Sequence, residues 1–310
     1  MRVDSLRRLV GGTPLVRLAE ASEASGALVL GKLESRNPSG SLKDRAVAAI
    51  VAAAEASGHL APGAAAVVAS AGNTALALAV LAPLAGHPAV VVAPASAPPE
   101  WRRLIGGLGG DLILTAPADG MGGAVRRAQA EARSRPGALL VAPFADPAAV
   151  EGYRVMGEEI LRDLEGRLDR VVVGVGTGAT AAGLASAFAD AGRRVAIVGV
   201  EPAEAPNLSG AGGSAHRIAG IGAGFSPPHW QGIKGATAVA VASAEAIEEC
   251  RALAAREGLL VGPSSGAAVA AARRSARPGE VVAVVLADGG ERYLAQPGFL
   301  AGFLAGDATA

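Results

Sequence analysis

Of the 28 lysine and arginine residues in this chain only three are lysines, Lys32, Lys43 and Lys234. A chain that writes almost all its positive charge as arginine has kept lysine where arginine will not serve. Arginine stays protonated, whereas a lysine amine can lose its proton, act as a base, or attack a carbonyl carbon to give a Schiff base. Any of the three could still be an ordinary surface lysine, so the local sequence has to choose. Lys43 sits in Asn37-Pro38-Ser39-Gly40-Ser41-Leu42-Lys43-Asp44-Arg45. Pro38 and Gly40 make a turn, Ser41 is a sensible helix N-cap, and Lys43 then falls in the first helical turn. The helix dipole disfavours positive charge there. A neutral amine or imine suits the position better than a solvated ammonium.

Three further turns lead from an apolar run into a helix-like stretch. In Gly174-Val175-Gly176-Thr177-Gly178-Ala179-Thr180 a glycine-rich turn offers backbone N–H groups and a helix start to an anion, usually phosphate, with Thr177 and Thr180 adding hydroxyls. A tight turn needed only for close packing accounts for the same residues. So does a dinucleotide fingerprint, since Gly176, Gly178 and Ala181 fit GxGxxA and Glu201 ends the next strand. Ser70-Ala71-Gly72-Asn73-Thr74 can grip a carboxylate or a ring hydroxyl, or simply cap a helix. Gly262-Pro263-Ser264-Ser265-Gly266-Ala267-Ala268 alone reads as a cap. Together, these turns fit a site built at the carboxyl ends of parallel strands.

The elements that must hold them are legible as alternating runs. Strands are predicted over 28–33, 65–69, 89–93, 111–115, 139–142, 170–175, 195–200 and 281–286, and helices over 42–57, 75–82, 121–132, 153–164, 179–189 and 244–257. Continuous apolar strands alternating with helices indicate parallel sheets covered on both faces, an α/β chain. At 310 residues it has room for about two domains. A smaller middle lobe, residues 44–146, is expected against a larger lobe made of 1–43 and 147–310, with the ligand in the cleft.

Composition narrows the function. With 51% hydrophobic and 18% charged residues the chain can bury a large core. Zero formal net charge and 3% aromatics give no reason to expect nucleic acid or an anionic membrane. A single cysteine, Cys250, excludes internal disulfides and cysteine-rich zinc sites, and reads as a buried, inert thiol. His59, His87, His216 and His229 show no metal-ligand spacing, so no metal is expected. The first residues lack the apolar run of a signal peptide and no stretch reads as a spanning helix, so a soluble, cytoplasmic protein is expected.

Taken in order, the segments resemble the fold type II pyridoxal-phosphate family, in its cysteine synthase and cystathionine β-synthase branch. The likeness runs from Gly12-Thr13-Pro14-Leu15-Val16-Arg17-Leu18 through Ser39-Gly40-Ser41-Leu42-Lys43-Asp44-Arg45 and Gly199-Val200-Glu201-Pro202. It continues through Ile221-Gly222-Ala223-Gly224-Phe225 to Asp288-Gly289-Gly290-Glu291-Arg292-Tyr293-Leu294. The resemblance implies a two-lobed, parallel-rich, three-layer architecture like that of the tryptophan synthase β chain, a homodimer, and pyridoxal 5′-phosphate as cofactor. It demotes the dinucleotide alternative. By resemblance Lys43 forms the Schiff base and then serves as the acid–base group, and Asn73 bonds the cofactor's ring hydroxyl. Gly176, Thr177, Gly178, Ala179 and Thr180 cradle the phosphate, and Ser264 faces the pyridine nitrogen. Ser70, Ala71, Gly72, Asn73 and Thr74 form the substrate loop. A neutral serine cannot hold the pyridine nitrogen protonated as a carboxylate would, which suits prompt loss of a β-leaving group.

The implied reaction is β-replacement on an activated L-serine derivative of the O-acetyl or O-phospho type. It passes through an α-aminoacrylate to which a small nucleophile such as sulfide, another thiol or an amine adds. Two departures matter. The branch usually carries a hydroxyl where this chain has Ala71, and often a glutamine where it has Pro143 before Phe144. Ser70-Ala71-Gly72-Asn73 and Pro143-Phe144-Ala145-Asp146-Pro147 instead resemble the serine/threonine dehydratases of the same fold. β-Elimination of the dehydratase or desulfhydrase kind is therefore the second reading, and a catalytically silent binding or regulatory homologue the third.

Overall fold

The structure is a computed structural model that describes residues 2–210, 212–296 and 298–299. Its first strands are a short hairpin-like pair. β1 (Leu15–Arg17) runs antiparallel to β2 (Leu28–Leu33), with α1 (Ala19–Ser25) between them. After β2 the chain leaves this sheet through α2 (Lys43–Ser57) and builds a second one. That sheet alternates β3 (Ala66–Ala69), α3 (Asn73–Leu84), β4 (Ala89–Pro94), α4 (Pro99–Gly107), β5 (Asp111–Thr115), α5 (Gly120–Ser134) and β6 (Leu139–Leu140). The chain then returns through α6 (Pro147–Asp163), β7 (Arg170–Gly174), α7 (Ala179–Asp190) and β8 (Ala196–Pro202). It closes with α8 (Pro228–Gln231), β9 (Thr237–Val241), α9 (Ser243–Glu257), α10 (Pro263–Ser275) and β10 (Val281–Leu286).

Two sheets result. The six-stranded one has the order β1-β2-β10-β7-β8-β9 and the four-stranded one β5-β4-β3-β6. Every pairing except β1 with β2 is parallel. The valine runs explain why. All six residues of β4 are buried, as are the three central residues of β7, which is what a strand covered on both faces requires. Side chains alternate across a strand, and here they fill two separate cores. Val67, Val90 and Val92 pack with Ala124 and Ala128 of α5, while Ala66, Val68 and Val91 join the larger core that contains Leu76 and Leu78 of α3. Burying one such valine is worth about 1.5–3 kcal/mol.

The topology decides where the chemistry sits. The last strand, β10, inserts between β2 and β7, in parallel with both. The carboxyl ends of β2, β10 and β7 therefore open on one side, and the segments that follow them meet there. Among the described residues no helix is long and apolar enough to cross a membrane.

Candidate active site

The segment between β2 and α2 is tied down residue by residue. The buried Glu34 accepts from the Thr13 hydroxyl at 2.6 Å, from Asn37 Nδ2 at 2.8 Å, and from Arg45 Nε and Nη2 at 2.7 and 2.8 Å. Arg45 reaches across to Glu159 of α6 at 2.9 and 2.8 Å. Asp44 accepts from both the backbone N–H and the hydroxyl of Ser39. Burial lifts the Asp44 carboxyl to about 6, against these hydrogen bonds. The helix cap differs from the sequence expectation. Leu42 occupies the N-cap position and Ser41, one residue earlier, accepts from the Lys43 N–H at 3.3 Å. Ser41 is drawn away from the cap by its backbone bridge to Asp288, and the Leu42 N–H is held by Ala287 at 2.9 Å.

These ties single out one lysine. Lys32 is fully buried and spends its ammonium on Thr13 O at 2.6 Å, Glu159 at 2.9 Å and Asp163 at 3.6 Å. Lys234 is exposed. Lys43 starts α2 and lines a cavity of about 1170 Å³ together with Ser70, Ala71, Gly72, Asn73, Thr74, Gly176 and Thr177. Burial pushes its amine below the ordinary lysine range, and the Asp288 carboxylate works in the opposite direction. A group so placed can reach the neutral form that a nucleophile or base needs.

The Gly176–Thr180 turn follows β7 and starts α7. Gly178 caps α7 with φ +79°, a left-handed conformation that favours glycine. A Cβ there would also stand 2.6 Å from the Trp230 backbone nitrogen. The Ala179 N–H donates to the Thr177 hydroxyl at 3.3 Å, and the N–H groups after it in the first turn of α7 lack helical acceptors and can meet an anion, with Thr177 and Thr180 both buried beside them. Gly178, Ala179 and Thr180 do not line the cavity as Gly176 and Thr177 do. They form the cap and the first turn of α7. Ser264 is also off the cavity wall. It lies buried in the first turn of α10, its Cβ 3.8 Å from where a Gly174 Cβ would stand at the end of β7. Gly178→Ala is expected to leave the secondary structure intact but weaken binding of a phosphorylated ligand at least tenfold, read by equilibrium titration.

Asn73 starts α3, and its amide is oriented by its neighbours. Arg292, which can only donate, bonds Oδ1, while Nδ2 donates to Asp288 Oδ2 at 2.5 Å. An amide nitrogen carries two hydrogens, so one remains for a ligand oxygen. Sequence reasoning gave Asp288, Arg292 and Tyr293 no role, although their run was recognised. Tyr293 donates to Asp288 Oδ2 at 2.5 Å, and Arg292 donates to Ser39 O at 2.8 Å and lies 5.9 Å over the Trp101 ring. The available signal was a polar run directly after a buried strand. Pro143 and Phe144 line the cavity, and Phe144 meets Phe225 at 5.5 Å between ring centroids.

One sequence alternative loses its basis, and the expected inert thiol is found. Glu201 is buried and accepts from Leu208 N at 2.6 Å and from the Ser209 hydroxyl at 3.3 Å, so it is committed to its own loop rather than to a ribose. Cys250 is buried and bonded to Gly262 O, and burial pushes its thiol up to about 12, far from a reactive thiolate.

A lysine poised to become neutral, a glycine-rich helix start and a fixed amide, all at the carboxyl ends of parallel strands, define a cofactor-dependent α/β enzyme. The family described as pyridoxal-phosphate dependent enzyme matches residues 6–288, and the chain belongs to that family, with pyridoxal 5′-phosphate as its cofactor. The chain is 36% identical over 300 residues to a cysteine synthase of Staphylococcus aureus strain Mu50, covering 95% of this chain and 96% of that protein. Among solved structures it resembles an O-ureido-L-serine synthase, with TM-score 0.91, 34% identity, and 99% and 98% of the two chains covered. It also resembles the cysteine synthase of Entamoeba histolytica, with TM-score 0.90, 30% identity, and 96% and 90% covered. The residues fit the cofactor on the structure's own terms. The spare Asn73 hydrogen suits a ring oxygen, the N–H groups of the first turn of α7 that follow Ala179 suit a phosphate, and the lowered Lys43 amine suits an aldehyde.

Proposed function

We propose that the protein replaces the β-substituent of an activated L-serine derivative by a small nucleophile, as a cysteine synthase does. The observation that carries this is Lys43 on the cavity wall, its amine lowered by burial, beside an Asn73 amide of fixed orientation. Bound pyridoxal phosphate supplies the electron sink that lets the substrate's α-C–H and then its β-bond break. In this reading Lys43 carries the cofactor and takes the α-proton. Asn73 donates its remaining Nδ2 hydrogen to the ring hydroxyl, Gly176–Thr180 hold the phosphate through backbone N–H groups, and Ser264 faces the pyridine nitrogen. Ser70–Thr74 bind the substrate carboxylate at the start of α3.

The charges around the cavity favour a neutral leaving ester. Of the cavity-lining residues described, Lys43 and Arg292 are the cations, and Arg292 is already bonded to Asn73 and Ser39. A phosphate ester would enter without a free partner, at a cost of roughly 3 kcal/mol, or about 100-fold in rate. O-acetyl-L-serine is therefore the expected substrate over O-phospho-L-serine by about that factor in kcat/KM. Steady-state assays with sulfide and each ester check this, and equal use of both would contradict it.

The methyl of Ala71 and the ring of Pro143 line the cavity and support β-elimination as the second reading. Steady release of keto acid from O-acetyl-L-serine without added nucleophile would favour it over replacement. We also propose that residues 44–146 move as a substrate lobe against 1–43 and 147–310, and that the enzyme works as a cytoplasmic homodimer. The family resemblance supports the dimer, and sedimentation of the purified protein checks it.

A further inference from the structure

Asp288 is a buried carboxylate that the proposed reaction has not yet used. It follows β10, and its backbone bridges to Ser41, two residues before Lys43. Its two oxygens are treated differently. Oδ2 accepts from Tyr293 and from Asn73, each at 2.5 Å, whereas Oδ1 is buried with no hydrogen-bond partner among the described residues. Room for Oδ1 comes from Gly262, where a Cβ would stand 2.1 Å away. Two donors converging on one oxygen is the arrangement of an ionised carboxylate, and an unpartnered buried oxygen needs a donor to meet it. The charged and titratable groups around it are Lys43 at the start of α2, Arg292 and Tyr293 from the segment after β10, and Cys250 of α9. Arg292 is turned to Asn73 and Ser39, and Tyr293 already serves Oδ2. Lys43 is the remaining cation.

We infer that Asp288 is the counter-charge of Lys43, positioned to stabilise the ammonium formed when Lys43 takes the substrate's α-proton. In that step the α-C–H bond breaks, the electron pair stays with the substrate, and the proton passes to Nζ, leaving a cation in a largely apolar chamber. An anion fixed in advance costs no reorganisation at that moment, and a preorganised charge acts most strongly where water is excluded. Burial raises the Asp288 carboxyl above the ordinary range, and its hydrogen bonds from Tyr293 and Asn73 and the nearby cations oppose part of that rise. The same anion raises the Lys43 amine against its own burial. Asp288 therefore acts on Lys43 through its charge, as a positioning residue.

The inference rests on the β-replacement reading for its kinetic arm only. Asp288→Asn keeps the shape and removes the charge. In the cofactor-free protein, the pH midpoint for labelling Lys43 with an amine-reactive probe, resolved by peptide mass from Lys32 and Lys234, should move down by about one unit or more. Below the midpoint the variant's Lys43 then reacts roughly tenfold faster. In the loaded enzyme, release of acetate from O-acetyl-L-serine in the first half-reaction, with its α-deuterium isotope effect retained, should become roughly tenfold slower or more, because the base is weaker and its ammonium unsupported. Damage to the fold would slow both rates together, whereas opposite directions mark the charge pair. An unmoved or raised midpoint, or parallel losses, would overturn the inference. If the unsubstituted enzyme releases no acetate from O-acetyl-L-serine, the β-replacement reading fails, and the labelling midpoint still decides the pair. Should Asp288→Asn not fold, Tyr293→Phe removes one donor from Oδ2. It is expected to move both rates in the same two directions by a smaller factor, and no movement would count against the pair.

Discussion

Replacing Lys43 with alanine should leave a folded protein that binds no cofactor covalently and turns over at least roughly 10⁴-fold more slowly. Proton transfer by a positioned base alone contributes about 10²–10⁴-fold, and the same side chain is proposed to carry the cofactor. The fold should survive because, among the described residues, the Lys43 side chain makes no hydrogen bond or ion pair in the network that holds the start of α2. That work is done by Glu34, Asp44, Arg45 and Glu159. Far-ultraviolet circular dichroism with a visible spectrum and an assay checks all three parts. Retained turnover would remove Lys43 from the chemistry altogether.

The second large effect is on stability. Arg45 is buried and bonds two buried carboxylates, Glu34 and Glu159, across three elements. Replacing it with methionine keeps volume but leaves those carboxylates without their shared cation. Breaking a buried charge pair from one side costs about 3–5 kcal/mol, a large share of the roughly 5–15 kcal/mol that holds a typical domain. Denaturant unfolding of Arg45→Met should show that loss, and cofactor affinity should fall with it as the start of α2 loosens. The acid limb gives an independent check. Despite the cost of burial, hydrogen bonds and charge from Arg45, with help from the Gly12 N–H and Lys32, hold the Glu159 carboxyl down to about 2. A depressed carboxylate stabilises the fold above its unfolded value of about 4.3. That stability is lost as pH falls through the window from there to about 2. In Arg45→Met the window narrows, because Glu159 titrates closer to its unfolded value, and the slope of stability against pH between 4 and 2 should flatten. An unchanged slope would mean that Arg45 does not set the Glu159 carboxyl.

Much of this arrangement is legible in the sequence where the physics is local. The strands over 28–33, 111–115 and 281–286 coincide with β2, β5 and β10; the valine run of β10 is buried almost throughout, as a central parallel strand requires, while β5, at a sheet edge with no buried residue, is marked by its apolar Leu-Ile-Leu between Asp111 and Thr115. Lys43 stands out by the residues immediately around it and the Gly176–Thr180 turn by its glycines, and the structure puts Lys43, Gly176 and Thr177 on one cavity wall. What was not legible is of two kinds. Short or alanine-rich elements have no periodic signal. β1 spans three residues, β9 reads Thr-Ala-Val-Ala-Val with two of its five positions alanine, and α4 ends in paired glycines. The other kind is tertiary. Asp288, Arg292 and Tyr293 enter the site because β10 slots between β2 and β7, strands that both lie more than a hundred residues earlier in the sequence. Likewise Lys32 looked as reactive as Lys43 by type, and only its burial against Glu159 and Asp163 shows that its charge is structural.

The most direct test of the central claim is to load the protein with pyridoxal phosphate, reduce it with borohydride, and map the modified lysine by peptide mass spectrometry. With only three lysines in the chain the assignment is unambiguous. A single modification on Lys43 is the expected result. Modification of Lys32 or Lys234 in its place, or none at all, would contradict the account.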